Sequence, residues 1–179
     1  MVLEKYTPDW ISDFLDIKSE IEKTLGENLF GIEHIGSTSV PNLDSKPIID
    51  IDIIFSDTDD FVKIKSGLEK IGYYHNGDQG IKHREVFKRN GKHPNDVLDR
   101  ISHHLYVCHA MSQALERHIL SRNFLRKNDW ARIKYQEMKY EMAEKANQDR
   151  KRYQELKELH INSYIDSMIE MEKTTRQQD

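Results

Sequence analysis

The chain has 179 residues, a net charge of −4 at pH 7 and one cysteine, Cys108. The length suits one domain, or one domain with a helical extension. The charge gives no overall nucleic-acid footprint, and one cysteine excludes an internal disulfide framework. The first residues lack the apolar core of a signal peptide, and no apolar run approaches the roughly 20 residues that span a bilayer. We therefore expect a cytoplasmic protein with no membrane partner.

A helix and a short strand are the first predicted elements. Thr7 and Pro8 are typical of a helix start, and apolar residues then recur at helical spacing as far as Gly26, a residue type that commonly ends helices. That apolar stripe consists of Ile11, Phe14, Leu15, Ile21 and Leu25. Residues 29–35 predict a strand that ends at Gly36.

A turn and a second strand follow in residues 36–55. Asp50 and Asp52 lie in a β-branched run, and both point to the same face because side chains alternate along a strand. The isoleucines beside them point into a core. Two carboxylates on one face repel each other, and a divalent cation or a shift in protonation would relieve that repulsion. The pair is a candidate metal site, and a solvated strand end is the alternative.

Short elements continue from residue 56 to residue 110. Residues 56–59 supply a helix cap and an acidic first turn, and the helix that they begin ends at Gly72. Strands are predicted at 73–75, 84–89 and 101–108, with loops at 76–80 and 90–95.

The C-terminal part is helical, since neither glycine nor proline occurs from residue 112 to residue 179. Three apolar stripes mark three helices: Leu115, Ile119 and Leu125; Trp130, Ile133, Met138 and Met142; and Leu156, Leu159, Ile165, Met168 and Ile169. We interpret the stripes as core. The order of elements predicts an α+β fold, a mixed β-sheet with helices on one face. Residues 1–110 would form its core, 111–173 a C-terminal helical extension packed on it as one unit, and 174–179 a frayed tail.

Several motifs follow one another in a specific order. They are residues 34–41 (HIGSTSVP), 46–51 (KPIIDI), 77–80 with Arg84 and Phe87, 103–107, 122–126, 135–139, and Tyr153 with Lys157. This order resembles the GrpB-like family of bacterial proteins over nearly the whole chain. A Gly-Ser turn with Asp-x-Asp about a dozen residues later also resembles the nucleotidyltransferase superfamily. The resemblance implies a nucleotidyltransferase-like fold.

The function that this resemblance implies is metal-dependent nucleotidyl transfer. Asp50 and Asp52, completed by His104, would hold Mg²⁺ or Mn²⁺, and the cation would bridge the phosphate oxygens of a nucleoside triphosphate. His104 would either complete the metal site or activate an acceptor hydroxyl. The predicted phosphate-binding residues are Gly36, Ser37, Thr38, Ser39, Lys46, Arg84, Arg122, Arg126, Lys139, Tyr153 and Lys157.

Two departures from the family pattern affect this prediction. Polymerase-like members of the superfamily carry a third acid on a later strand, but residues 101–108 hold His103 and His104 instead. Alternation places His103 on the core face and His104 in the cleft. The family also usually has Asp where this chain has Asn123, so we expect the salt link to Arg122 to be lost.

Structural roles compete with these assignments. The hydroxyls of residues 37–39 suit turn and cap hydrogen bonds, Lys46 and isolated arginines suit a solvated surface, and Tyr153 and Lys157 suit helix packing. His104 suits a half-buried, hydrogen-bonded histidine.

Two other functions compete with nucleotidyl transfer. A non-catalytic nucleotide or anion sensor would keep the phosphate site without the third acid, and an interaction module would present the C-terminal helices to a partner. The acceptor of a transferred group is open, although low basicity disfavours an extended nucleic acid.

Overall fold

The computed structural model describes residues 2–26 and 30–176, with side chains as far as Thr174. Its helices are α1 (Asp9–Leu25), α2 (Thr58–Lys70), α3 (Asp96–Arg100), α4 (Gln113–Lys127), α5 (Asp129–Lys145) and α6 (Arg150–Arg176). Its strands are β1 (Gly31–Ile35), β2 (Ile49–Phe55), β3 (Tyr73–His75), β4 (Arg84–Arg89) and β5 (His103–His109), and a 3₁₀ turn spans Ser37–Ser39.

The five strands form one mixed sheet in the order β1-β2-β5-β4-β3. The central strands β2 and β5 are parallel, and the three other pairings are antiparallel. In the parallel register Asp50 lies opposite His104, and Asp52 lies opposite Tyr106. The predicted α+β class with a mixed sheet is confirmed.

One face of the sheet packs on helices α1, α2 and α3. Ile49, Ile51 and Ile53 are buried in this core, as the alternation along β2 predicts. Helix α1 contributes a buried stripe of Trp10, Phe14, Ile17, Ile21 and Leu25. The helix predicted from the apolar spacing is present, although Ile11 and Leu15 of that spacing have exposed side chains, Leu15 by 54%. Trp10 and Ile17 lie on the side of the helix that packs against the sheet.

A second core joins helices α4, α5 and α6 to the N-terminal residues and to the segment before β2. It contains Val2, Leu3, Val40 and Leu43 along with residues of all three helices. The predicted C-terminal stripes were wrong at Trp130, Ile133 and Leu159, which are exposed, Leu159 by 75%. Packing here uses small residues and tyrosines, with Ala131, Tyr135, Ala143 and Tyr153 all buried. Small side chains let neighbouring helices approach closely.

Helix α3 is an element that the sequence analysis did not predict. The Asn95 side chain caps it by accepting hydrogen bonds from the amides of Val97 and Leu98. At the other end of the chain, α6 continues through Thr174 to Arg176, and residues 177–179 of the predicted tail lie outside the described residues, as does Leu29 of the predicted first strand. Among the helices described, none has the length and apolarity that crossing a membrane requires.

Candidate functional site

The turn after β1 brings the backbone against Asp50. Gly36 has φ 68° and ψ −171°, a conformation that is essentially restricted to glycine. A Cβ atom at this position would lie 2.3 Å from the Asp50 Oδ2 atom. Glycine is therefore required twice, for its backbone conformation and for the close approach of the turn to the first carboxylate of β2.

Buried hydroxyls and an arginine hold this turn in place. The Thr38 hydroxyl donates to the Ile48 carbonyl oxygen at 3.2 Å, and the Ser39 hydroxyl donates to the Gly36 carbonyl oxygen at 2.6 Å. Arg126 donates through Nε and Nη2 to the Ser39 carbonyl oxygen, at 2.9 and 2.7 Å. These three predicted phosphate-binding residues support the turn and do not line the cavity beside it. Ser37 is half-buried and does line it.

The cavity itself has a volume of about 340 Å³ and lies between the turn, strands β2 and β5, and helices α4 to α6. Five cationic side chains line it, namely Lys46, Arg117, Arg122, Lys139 and Lys157. Among the described residues that line the cavity, Asp50 is the one carboxylate. In a chain with a net charge of −4, this is a local concentration of positive charge.

Three of these side chains are lysines, and Lys157 affects the pKa of the other two. Lys139 is buried, and its Nζ atom donates to the Asp44 carbonyl oxygen at 2.6 Å. Burial, together with the positive charge of Lys157, lowers the pKa of Lys139 well below its ordinary value. The same two causes lower the pKa of Lys46, whose Nζ lies 4.7 Å from the centroid of the Tyr153 ring. The pKa of Lys157 itself is raised by the neighbouring Tyr135, so an anion in this cavity would offset the effect of Lys157 on the other two lysines.

Arg122 keeps an ionic partner despite the neighbouring Asn123. Its Nη1 atom lies 2.6 Å from the Glu33 carboxylate and donates to the His34 carbonyl oxygen at 2.8 Å. The Nε atom also donates to Asn123 Oδ1 at 3.1 Å. Asn123 thus gives Arg122 a hydrogen bond in place of a salt link, and Glu33 on β1 supplies the charged partner.

Two aspartate–histidine pairs stand on the same face of the sheet. His104 Nδ1 lies 2.9 Å from Asp50 Oδ1, and His118 Nδ1 of helix α4 lies 2.8 Å from Asp52 Oδ2. The Cys108 thiol donates to the other Asp52 oxygen at 3.6 Å. Burial and the negative charge of Asp52 raise the pKa of Cys108, so the thiol keeps its proton. Asp52 is 0% exposed, and both its oxygens have donors.

This arrangement does not fit the predicted cation site. Within residues 2–26 and 30–176, no group of three or more histidine, cysteine or acidic side chains is placed to hold a metal ion. Asp50 and Asp52 each engage a different histidine, and Asp52 is closed off beneath helix α4. The side chains of Asp50, Asp52 and His104, as they are placed, do not form a set of cation ligands.

Arg84 lies in a second cavity, also of about 340 Å³, over strands β4 and β5. Its guanidinium carbon is 4.8 Å from the centroid of the Tyr106 ring. Tyr106 and His104 line both cavities, so the two adjoin. The predicted phosphate-binding residues that line the first cavity are Gly36, Ser37, Lys46, Arg122, Lys139, Tyr153 and Lys157.

Four polar residues of helix α4 or β5 line the first cavity without having been predicted from the sequence. Tyr106, Arg117, His118 and Ser121 were not predicted as site residues. A signal was nevertheless present, because Arg117, His118, Ser121 and Arg122 recur at helical spacing as a polar stripe on α4. Only the fold places that stripe opposite Asp50 and Asp52.

His34 makes the stability of this region dependent on pH. Its ring stacks on Phe14, and burial, with the positive charge of Arg126, lowers its pKa to about 4. The unfolded chain takes up this proton near pH 6.5, so acidification from there towards pH 4 favours unfolding. Glutamine does not take up this proton. We therefore expect His34→Gln to reduce the fall in the free energy of unfolding over this range by up to about 1.4 kcal/mol per pH unit. Urea unfolding of variant and wild type at pH 7 and pH 5 measures this difference. Equal pH dependence in the two proteins would contradict the assignment. His160→Gln, at an exposed histidine, is the control.

Comparison with known proteins identifies the family. The sequence model described as GrpB protein matches residues 1–167. The chain belongs to the GrpB family. The "Glutamate-rich protein GrpB" of Alkalihalophilus pseudofirmus is 28% identical over 94% of this chain and 95% of that protein. The UPF0157 protein YqkA of Bacillus subtilis is 28% identical over 96% of this chain, which spans only 45% of that relative.

A solved structure of another family member has the same fold. The crystal structure of the conserved protein GrpB from Enterococcus faecalis matches with a TM-score of 0.75 and 29% identity, over 95% of this chain and 98% of that one. Part of the fold also aligns with the Cid1 poly(U) polymerase, at 10% identity and a TM-score of 0.47, over 68% of this chain and 42% of that one. The latter likeness is too partial to bear on function.

Proposed function

We propose that this GrpB-family protein binds a small molecule bearing several phosphates, such as a nucleoside triphosphate, in the cavity between the sheet and helices α4 to α6. The observation that carries the proposal is the convergence of Lys46, Lys139 and Lys157 on that cavity, beside Arg117 and Arg122, which are paired with Asp166 and Glu33. A polyphosphate is the ligand chemistry that matches such a surplus of positive charge.

The phosphates would lie between the turn and the lysines. Gly36 and Ser37 present backbone to the cavity without a bulky side chain at Gly36, which allows close approach of a phosphate. Lys46 and Lys157 face them from the segment before β2 and from α6. Burial and Lys157 lower the pKa of Lys139, so a bound anion would favour its charged form.

The reaction, the location and the lack of a nucleic-acid partner remain predictions from the sequence. Nucleotidyl transfer with Mg²⁺ or Mn²⁺ rests on the Asp-x-Asp pattern, and a non-catalytic nucleotide sensor would use the same cavity. A cytoplasmic location and the lack of an extended nucleic-acid partner rest on composition alone.

Isothermal titration with ATP, inorganic tripolyphosphate and adenosine tests the proposal. We expect ATP and tripolyphosphate to bind and adenosine to bind far more weakly, because the phosphates carry the recognition. Equal binding of ATP and adenosine, or no binding of either phosphate compound, would contradict a phosphate site.

Removal of one cavity lysine should weaken phosphate binding selectively. Lys157→Met keeps the aliphatic stem and removes the charge, and we expect the Kd for tripolyphosphate to rise about tenfold. Lys134→Met on the exposed side of α5 is the matched control and should leave the Kd unchanged, since Lys134 does not line the cavity. The same change in Kd for both variants would show that the effect is one of net charge rather than of the cavity.

A further inference from the structure

Asp52 is placed as an internal support and not as an open ligand. Its carboxylate is fully buried on β2, where His118 donates to Oδ2 at 2.8 Å and Cys108 donates to Oδ1 at 3.6 Å. A buried carboxylate is tolerated when donors satisfy it, and both oxygens are satisfied here. Its environment therefore explains the second aspartate of the motif without a cation.

His118 connects Asp52 to the cavity, because it bonds to Asp52 and lines the cavity. A carboxylate only accepts hydrogen bonds, so the Nδ1 atom of His118 carries a hydrogen. Phosphate oxygens also only accept, so Nε2 contacts them as a donor when it carries a hydrogen as well. His118 lines the cavity with Ser121, one helical turn further along α4, and its ring centroid lies 6.0 Å from that of Tyr106. A residue fixed at Nδ1 presents Nε2 in one orientation, as histidines held by carboxylates do in other sites.

A hydrated cation would have to undo this arrangement. Mg²⁺ requires oxygen ligands at about 2.0–2.1 Å and usually retains several waters. At Asp52 it would have to displace His118 and bring water to a carboxylate that is 0% exposed. At Asp50, one oxygen is bonded to His104, and the other lies against Gly36. Meanwhile three lysines already line the cavity and can neutralise phosphates, beside two arginines that are paired with Asp166 and Glu33.

We propose that Asp52 is a positioning residue that holds His118 by Nδ1, that His118 in the complex is an imidazolium whose Nε2–H donates to a phosphate oxygen, and that the cavity binds this ligand without a divalent cation. The inference rests on the proposed function, because it concerns the same cavity. His118 contacts the ligand, and Asp52 acts only through His118. The predicted pair of metal-binding aspartates is thereby replaced by one aspartate that faces the cavity and one that supports an imidazole.

Titration of tripolyphosphate in EDTA and in excess Mg²⁺ or Mn²⁺ tests the second half of the inference, binding without a divalent cation. We expect the Kd in EDTA to lie within about threefold of the Kd in Mg²⁺. A loss of binding in EDTA that Mg²⁺ or Mn²⁺ restores would overturn the inference and leave the proposed function intact. No binding in any of the three buffers would overturn the proposed function itself.

Variants test the role of the imidazole. We expect His118→Gln and Asp52→Asn each to weaken tripolyphosphate binding about tenfold, and the double variant to bind no more weakly than His118→Gln alone. His160→Gln and Asp59→Asn, exposed and away from the cavity, are the controls. Additive losses, or wild-type binding by His118→Gln, would overturn the assignment; His118→Gln alone decides it if Asp52→Asn unfolds.

A spectroscopic measurement separates ligand contact from a purely structural role. In ¹⁵N-labelled protein, we expect the His118 Nε2 resonance to shift when tripolyphosphate is added, while Nδ1 keeps the shift of a protonated nitrogen. In Asp52→Asn that response should be reduced. Resonances of the His118 ring that do not change when the ligand is added would overturn the inference, because that is the behaviour of a purely structural histidine.

Discussion

Replacement of Gly36 with alanine is expected to abolish phosphate binding and to lower the free energy of unfolding by about 2–4 kcal/mol. The new Cβ would lie 2.3 Å from Asp50 Oδ2, and the backbone would be held at φ 68°, which alanine strongly disfavours. Relief of the clash must move either the turn or Asp50, and both line the cavity. Urea unfolding and tripolyphosphate titration measure the two effects.

Gly91→Ala is the matched control for this change. Gly91 has nearly the same φ, 69°, but a Cβ built there has no neighbour within 4 Å. We expect Gly91→Ala to lower the free energy of unfolding by about 1 kcal/mol, through backbone conformation alone, and to leave ligand binding unchanged. If Gly36→Ala cost no more than Gly91→Ala and bound ligand normally, the close contact between the turn and Asp50 would not matter to the site.

Asp44→Ala is the second substitution with a large expected effect, a loss of about 3 kcal/mol in the free energy of unfolding. The buried Asp44 carboxylate accepts from the Tyr6 amide at 2.9 Å and from the Tyr140 hydroxyl at 2.7 Å, and it pairs with Lys5. Alanine would leave the first two donors without this partner. Because Asp44 also joins the N-terminal segment to α5, its loss should loosen the second core.

Lys5→Met distinguishes the contribution of the Lys5–Asp44 ion pair from that of the buried hydrogen bonds of Asp44. The Lys5 side chain is largely exposed, so its ion pair with Asp44 is screened by solvent and should add little to stability. We expect Lys5→Met to unfold close to the wild type in urea and Asp44→Ala to unfold much earlier. Comparable effects of the two variants would show that the charge pair, rather than the buried hydrogen bonds, holds the segment.

The sheet and the turn could be predicted because their signals are local. Alternation along β2 places the isoleucines in the core and the aspartates on the other face, and this requires nothing beyond the residues of one strand. The same alternation placed His103 and His104 correctly, since His104 lines the cavity and His103 bonds to buried Tyr73 at 2.5 Å. Gly36 likewise marked a sharp turn.

The partner of Asp52 could not be predicted because it comes from a distant helix. His118 lies 66 positions further along the chain, and no spacing rule connects it to β2. Helical periodicity also failed on α5 and α6, where Trp130, Ile133 and Leu159 are apolar yet exposed. Packing through alanines and tyrosines decides which flank of these helices is buried, and that choice depends on the neighbouring helices.

The most direct test of the phosphate site is a crystal structure of the complex with a non-hydrolysable ATP analogue. We predict that the phosphates of the analogue lie inside the cavity, within hydrogen-bond distance of Lys157 Nζ and of the backbone at Gly36 and Ser37. Phosphates bound elsewhere on the protein, with this cavity empty at saturating analogue, would contradict it.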